Sequence, residues 1–122
     1  MEKTLDRQAV SLPFGRDIFL LETHVAGLHY HQARTALPNL LPGQLLILRR
    51  EPANPHDELA IEILASDALK LGYIPRQRNP VLARLMDAGK QLFAAVASID
   101  AASRYAAEDM PEIRLKVSLR EL

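Results

Sequence analysis

The sequence predicts a mainly β domain within the α+β class: a small, partly open β-barrel of about six short strands with one or two helices. Three observations carry this. Short apolar or alternating runs recur along the chain, separated by turn signals. Only residues 79–88 combine a helix start, a helical spacing and a helix stop, whereas a parallel βαβ sheet needs a helix after nearly every strand. The chain has 122 residues, 48% of them hydrophobic, enough for one domain that buries roughly two thirds of its unfolded surface.

Residues 1–16 carry mixed charge and Pro13 and read as an arm or an edge strand; residues 17–122 form the expected domain. The first strand runs from Asp17 to Ala26 through Ile18, Phe19, Leu20 and Leu21, then Thr23 and Val25, and ends at Gly27. A turn over Gly27–His31 leads to a short helix at 31–37, ahead of Pro38. Pro42-Gly43 is a strong turn pair and precedes a second strand, Gln44 to Arg49. A third strand spans 59–64, where Leu59, Ile61 and Ile63 alternate with Ala60 and Glu62, a period of two. A turn at Ser66-Asp67 precedes a short strand over Lys70–Ile74, which Pro75 ends. The helix at 79–88 takes Asn79 as N-cap and Pro80 as its first residue, spaces Leu82, Leu85 and Met86 along one face, and stops at Gly89. Gln91 to Ile99 suits a strand despite its alanines, which also favour helix. Ile113, Leu115, Val117 and Leu119 alternate with Arg114, Lys116 and Ser118 as a half-buried strand.

Composition narrows the function classes. Fifteen basic and fifteen acidic side chains give a net charge of zero, so any binding of a polyanion must come from a local patch rather than the overall field. There is no cysteine, which removes disulfides, thiolate chemistry and cysteine-based zinc sites. The N-terminus lacks a basic-then-apolar signal, and no window approaches the roughly 20 apolar residues of a membrane span. A cytoplasmic location is the expectation.

The most informative segment is Glu51-Pro52-Ala53-Asn54-Pro55-His56-Asp57-Glu58, between two strand-like runs. Each proline fixes its own φ and biases the residue before it toward extended geometry, so the segment reads as a rigid polar elbow. Taken with Val25-Ala26-Gly27-Leu28-His29-Tyr30 before it and Leu71-Gly72-Tyr73-Ile74-Pro75 after it, the elbow resembles the HIRAN domain family over roughly residues 18–100. The resemblance implies an OB-like barrel and a DNA-binding module without chemistry of its own, which captures the free 3′ end of single-stranded DNA in repair or fork processing. It implies no cofactor. HIRAN domains are usually fused to translocases, so it also implies a separately encoded helicase or nuclease as a partner.

A terminal nucleotide offers a hydroxyl, a phosphate and a base face, and its site wants a carboxylate, cationic donors and flat rings. By resemblance, Asp57 accepts a hydrogen bond from the 3′-hydroxyl and repels a 3′-phosphate. Tyr30 and His56 hold the base, with His56 standing where many members carry tyrosine. His29 stands where related domains often carry arginine, Asn54 holds the backbone, and Arg76 and Arg78 supply phosphate charge. Each residue also has a structural role open to it. Asp57 and Asn54 suit turn bonding, Tyr30 suits a core edge, His29 and His56 suit exposed loops, and Arg76, Arg78 and Arg84 suit a solvated face. Tyr73 and Phe93 fit the barrel interior, and Glu51 fits a surface pair with Arg49 or Arg50.

Two other classes compete. A metal-dependent enzyme would use His29, His31 and His56 with Asp57 and Glu58, ligand types that suit zinc or manganese, but no recognised metal array of histidines and glutamates occurs. A protein-interaction module that leaves DNA untouched fits the neutral charge. The sequence reading therefore favours a non-enzymatic binding domain with no resident metal.

Overall fold

The computed structural model describes residues 16–104, 106 and 110–121, with the backbone alone for Tyr30 and His31. The N-terminal arm therefore lies outside the described residues, apart from Arg16. The described residues form six strands: β1 (Arg16–His24), β2 (Leu45–Arg50), β3 (Ile61–Leu64), β4 (Lys70–Tyr73), β5 (Gln91–Asp100) and β6 (Glu112–Glu121). Two α-helices, α1 (Tyr30–Ala36) and α2 (Asn79–Asp87), complete the framework, with a 3₁₀ turn at Leu37–Asn39.

All strand pairs are antiparallel, in the order β1-β6-β5-β2-β3-β4. β1 and β4 stand at the ends of this order and no ladder joins them. One isolated bridge, Ala26 with Tyr73, sits just beyond the end of β1. The sheet therefore curls toward closure without completing it, and the expected partly open barrel is the observed one.

Burial follows from the strand patterns. On β6, Ile113, Leu115 and Val117 point inward, while Lys116 is exposed and Arg114 half-buried. Against them pack Leu46 and Leu48 of β2, Ile61 and Ile63 of β3, Leu71 of β4, and Ala94 and Val96 of β5. The helices cover the core from outside the strand order, α1 with Ala33 and Ala36 and α2 with Leu82 and Ala83. The short strand β3 is buried on both faces, so the alternation of apolar and polar residues there does not mark a solvated side. Glu62, 5% exposed, stays inside because Arg49 from β2 donates to it at 3.0 Å; a buried carboxylate needs such a partner. Leu59 and Ala60 belong to the elbow rather than to β3, because Ala60 N–H bonds back to the Asp57 carbonyl at 3.1 Å.

Helix α2 begins and ends as its proline and glycine dictate, with one correction. Arg78, not Asn79, occupies the N-cap position, and no side chain caps the helix. Asn79 is 2% exposed and its amide turns away from the helix toward the elbow. Gly89 stops the helix at φ +91°, a conformation that costs little only without a Cβ.

Candidate nucleic-acid interface

Local hydrogen bonds, more than the prolines alone, make the elbow rigid. The Asn54 side-chain oxygen accepts from the backbone N–H groups of His56 at 2.8 Å and Asp57 at 3.1 Å, and its amide nitrogen donates to Glu51 Oε1 at 2.6 Å. Asn54 N–H also bonds the Glu51 carbonyl at 3.0 Å. Asn54 thus serves as an internal template for the turn, the use of Asn that local side-chain bonding predicts.

Glu51 does not pair with Arg49 or Arg50. Its carboxylate accepts from the Tyr73 hydroxyl at 2.7 Å, which in turn accepts from Lys70 Nζ at 2.6 Å. The bonds from Asn54 and Tyr73, together with the Lys70 charge, hold the Glu51 carboxyl below its usual range against the opposing effect of burial. Arg50 instead ties down the far side of the elbow. It donates to the Ala60 carbonyl at 2.7 Å and the Glu58 carbonyl at 3.0 Å, and grips Asp87 of α2 at 2.8 and 3.1 Å.

Asp57 stands at the centre. Its Oδ1 accepts from Leu59 N–H at 2.9 Å, and its Oδ2 accepts from Asn79 Nδ2 at 2.8 Å. Arg76 Nε lies 3.6 Å from the same Oδ2, and an Arg76 terminal nitrogen bonds the His56 carbonyl at 3.3 Å. The Asn79 bond, then the Leu59 N–H, then the nearby guanidinium groups lower the Asp57 pKa, with burial opposing them. Asp57 is therefore a fixed, ionised carboxylate at neutral pH. A carboxylate has about four acceptor directions, so two protein bonds leave room for a ligand hydroxyl.

Asn54, His56, Asp57 and Arg76 line an open cavity of about 600 Å³; His24, Ala26, Gly27, Tyr73, Ile74, Pro75 and Gln77 complete it. The cavity lies across the seam between the end of β1 and β4. There Ala26 and Tyr73 exchange backbone bonds of 2.8 and 2.7 Å. Gly72 permits this approach, since a Cβ at that position would meet the Ala26 carbonyl oxygen at 2.5 Å and Val25 Cγ1 at 2.7 Å.

The seven sequence-predicted site residues divide. Asn54, His56, Asp57 and Arg76 meet in the cavity. Arg78 lies next door, in a polar cleft of about 370 Å³ that shares His24, Pro75 and Gln77 with the cavity. His29 is exposed, its N–H bonded to the Leu71 carbonyl at 2.9 Å, and is not among the described lining residues. Tyr30 opens α1, and its side chain lies outside the described atoms. Tyr73 is half-buried and faces the polar network as well as the cavity rather than simply filling the barrel. Phe93 is half-buried under the Arg120 guanidinium, 4.8 Å from the ring centre. The residues that sequence reasoning missed are Asn79, Lys70, His24 and Gln77. Asn79 had a visible signal, a polar residue before Pro80, but that signal fits a helix cap equally well. Among the described residues, no three of His, Cys, Asp or Glu gather closely enough to hold a metal ion. No described helix is long and apolar enough to cross a membrane.

The fold and the cavity define a class: a small, partly open β-barrel with a polar hollow at its seam. The HIRAN domain model matches residues 18–118. The Helicase-like transcription factor of Oryctolagus cuniculus is 33% identical over 84 residues, which are 69% of this chain and 8% of that protein. A crystal structure of a Lactobacillus plantarum protein matches with a TM-score of 0.75 at 28% identity, covering 88% of this chain and 99% of that one. The HIRAN domain of human HLTF matches in fold with a TM-score of 0.63 at 21% identity, over 86% of this chain and 79% of that one. This chain belongs to the HIRAN family, a family of DNA-binding domains. It spans less than a tenth of the length of the rabbit relative.

Proposed function

We propose that this domain captures the free 3′-hydroxyl end of single-stranded DNA, in DNA repair or replication-fork processing. The observation that carries the reading is Asp57, an ionised carboxylate held by Leu59 N–H and Asn79 at the wall of a cavity large enough for a nucleotide. In this reading Asp57 accepts the hydrogen bond of the terminal hydroxyl and repels an end that carries phosphate. Arg76, three-quarters exposed in its side chain, reaches the phosphate that links the last two residues. His56 stacks on the base, joined by Tyr30 from the start of α1; each base–aromatic contact is worth about 1–3 kcal/mol. His29 borders the same end of α1. The apolar lining from Ala26, Ile74 and Pro75 suits a base face. With no net charge to steer DNA over distance, capture depends on the site itself. A separately encoded helicase or nuclease would then act on the captured end.

The test is fluorescence anisotropy with 5′-labelled single strands ending in 3′-hydroxyl or 3′-phosphate. The reading expects the hydroxyl end to bind at least about tenfold tighter, a difference of about 1.4 kcal/mol. Equal binding of the two ends, or no binding at micromolar protein, overturns it.

One observation favours a second reading, a protein-interaction module. β2 turns Leu45 and Ile47 outward at 58% and 49% exposure, and Leu41 in the preceding turn is 66% exposed. If this surface is the working one, Leu45→Ser with Ile47→Ser abolishes partner capture while DNA binding is unchanged.

A further inference from the structure

Beside the cavity lies the second hollow, and the two differ in kind. The cavity mixes polar groups with Ala26, Ile74 and Pro75. The cleft is lined by Glu22, Thr23, His24, Gln77, Arg78 and Arg114, with Pro75 its single apolar wall. His24, Pro75 and Gln77 belong to both, so the hollows adjoin along the loop between β4 and α2. Successive arginines of that loop, Arg76 and Arg78, serve the two hollows in turn.

The cations of the cleft are not equivalent. Arg114 is committed: it donates to Glu22 at 3.0 Å and to Glu112 at 3.3 Å. Those two carboxylates more than offset its single charge and fix it as a wall. Arg78 is exposed, and no hydrogen bond or ion pair ties its guanidinium to any described residue. It lines a hollow whose one apolar wall is Pro75 and which offers imidazole, amide and guanidinium donors beside the Glu22 carboxylate, itself paired with Arg114. A nucleic-acid strand alternates a base-bearing sugar with a charged phosphodiester. A hollow that suits a terminal nucleoside, followed by one that suits an anion, matches that order.

We infer that the cleft between β1 and the β4–α2 loop is a second subsite, which binds the next phosphodiester on the 5′ side of the captured end through Arg78, His24 and Gln77. The inference rests on the proposed end capture, and it gives the domain a footprint of at least three nucleotides. Arg114 acts there as a positioning residue, since its donors are already engaged.

The experiment separates the two hollows by ligand length. Unlabelled thymidine di- and trinucleotides with free 3′-hydroxyls carry one and two phosphodiesters, and each is titrated into ¹⁵N-labelled protein. Both ligands should shift the amides of Gly27, Asn54 and His56, which belong to the cavity alone. Only the trinucleotide should shift Glu22, Thr23 and Arg78, which belong to the cleft alone. The trinucleotide should also bind more tightly, with a salt slope steeper by about 0.7, the value for one further phosphate on a single strand. Arg78→Ala should remove that extra slope and the extra affinity. If the trinucleotide binds no tighter than the dinucleotide and leaves the cleft amides still, the second subsite is wrong while end capture stands. If inorganic phosphate alone moves the Arg78 amide as far as the trinucleotide does, the cleft is a general anion site and the inference is equally overturned. If neither oligonucleotide shifts any cavity amide, end capture fails and takes the subsite with it.

Discussion

The two walls of the cavity are built on opposite plans. The elbow wall, residues 51–60, is fixed from within: Asn54 templates the turn, Glu51 is tied to Tyr73, Arg50 grips two carbonyls, and Asn79 holds Asp57. The adjoining loop, residues 74–78, is anchored mainly by backbone and packing, with Arg76 reaching across to the His56 carbonyl and to Asp57. Ile74 is buried and bonds the Ile61 carbonyl at 3.0 Å, and Arg78 N–H bonds the Pro75 carbonyl at 2.9 Å, while the side chains of Arg76, Gln77 and Arg78 remain exposed. The first wall presents a single carboxylate in one geometry. The second presents cations on flexible stems over a fixed backbone. In the proposed end capture the labour divides: selectivity comes from the hydrogen-bonded wall and attraction from the exposed cations.

Breaking the rigid wall has the largest expected effect. Asn54→Ala removes the acceptor for two backbone N–H groups and the donor to Glu51, and it should cost about 2 kcal/mol of stability in urea unfolding. The same variant should lose DNA affinity by more than tenfold, because Asp57 no longer has a fixed direction. Asp57→Asn is the sharper tool. It keeps the shape, since the Asn oxygen still accepts from Leu59 N–H and Asn79 can rotate its amide to match. Affinity for a 3′-hydroxyl end should fall several-fold, and discrimination against a 3′-phosphate should vanish, read by anisotropy on paired substrates. Arg76→Ala attacks the other wall. Its ion pair with Asp57 is exposed and contributes little to stability, so the melting temperature should hold. Binding should weaken about equally for both end chemistries, with a salt slope smaller by about 0.7.

The smallest effect is the pH dependence. Asp57 and Glu51 have folded pKa values below their ordinary ones. Their contribution to stability is therefore fully present above the ordinary carboxylate value of about 4 and is lost as pH falls through the lower folded values. The stability gap between the native chain and Asp57→Asn should stay flat from neutral pH down to about 4.5 and narrow below about 4. A gap that widens on acidification would contradict the ionised, hydrogen-bonded Asp57.

The same contrast explains what the sequence revealed. β6 was legible because its alternation repeats over a long, half-buried strand, and α2 because Pro80 and Gly89 punctuate it. The elbow was legible because Pro52, Pro55, Asn54 and Asp57 act on their own neighbours. Partners brought together by folding were not. The Lys70–Tyr73–Glu51 chain links β4 to the elbow, and nothing local to Glu51 distinguishes that from a pair with the adjacent Arg49 or Arg50. β3 looked half-solvated because Glu62 interrupts its apolar residues, yet Arg49 from the neighbouring strand lets that carboxylate stay inside. His24 and Gln77 carry no motif at all; they reach the hollows only because the end of β1 lies beside the β4–α2 loop.

The single bridge between Ala26 and Tyr73 makes the cavity more than a hollow on a finished surface. A molecule bound there touches residues on both sides of a seam that the backbone spans only through the Ala26–Tyr73 pair and the His29 to Leu71 bond. Ligand binding and the breathing of the barrel are then two ends of one equilibrium. In the proposed end capture a bound strand end would work as a clasp, and the Ala26 and Tyr73 amides should exchange their hydrogens more slowly once it is fastened.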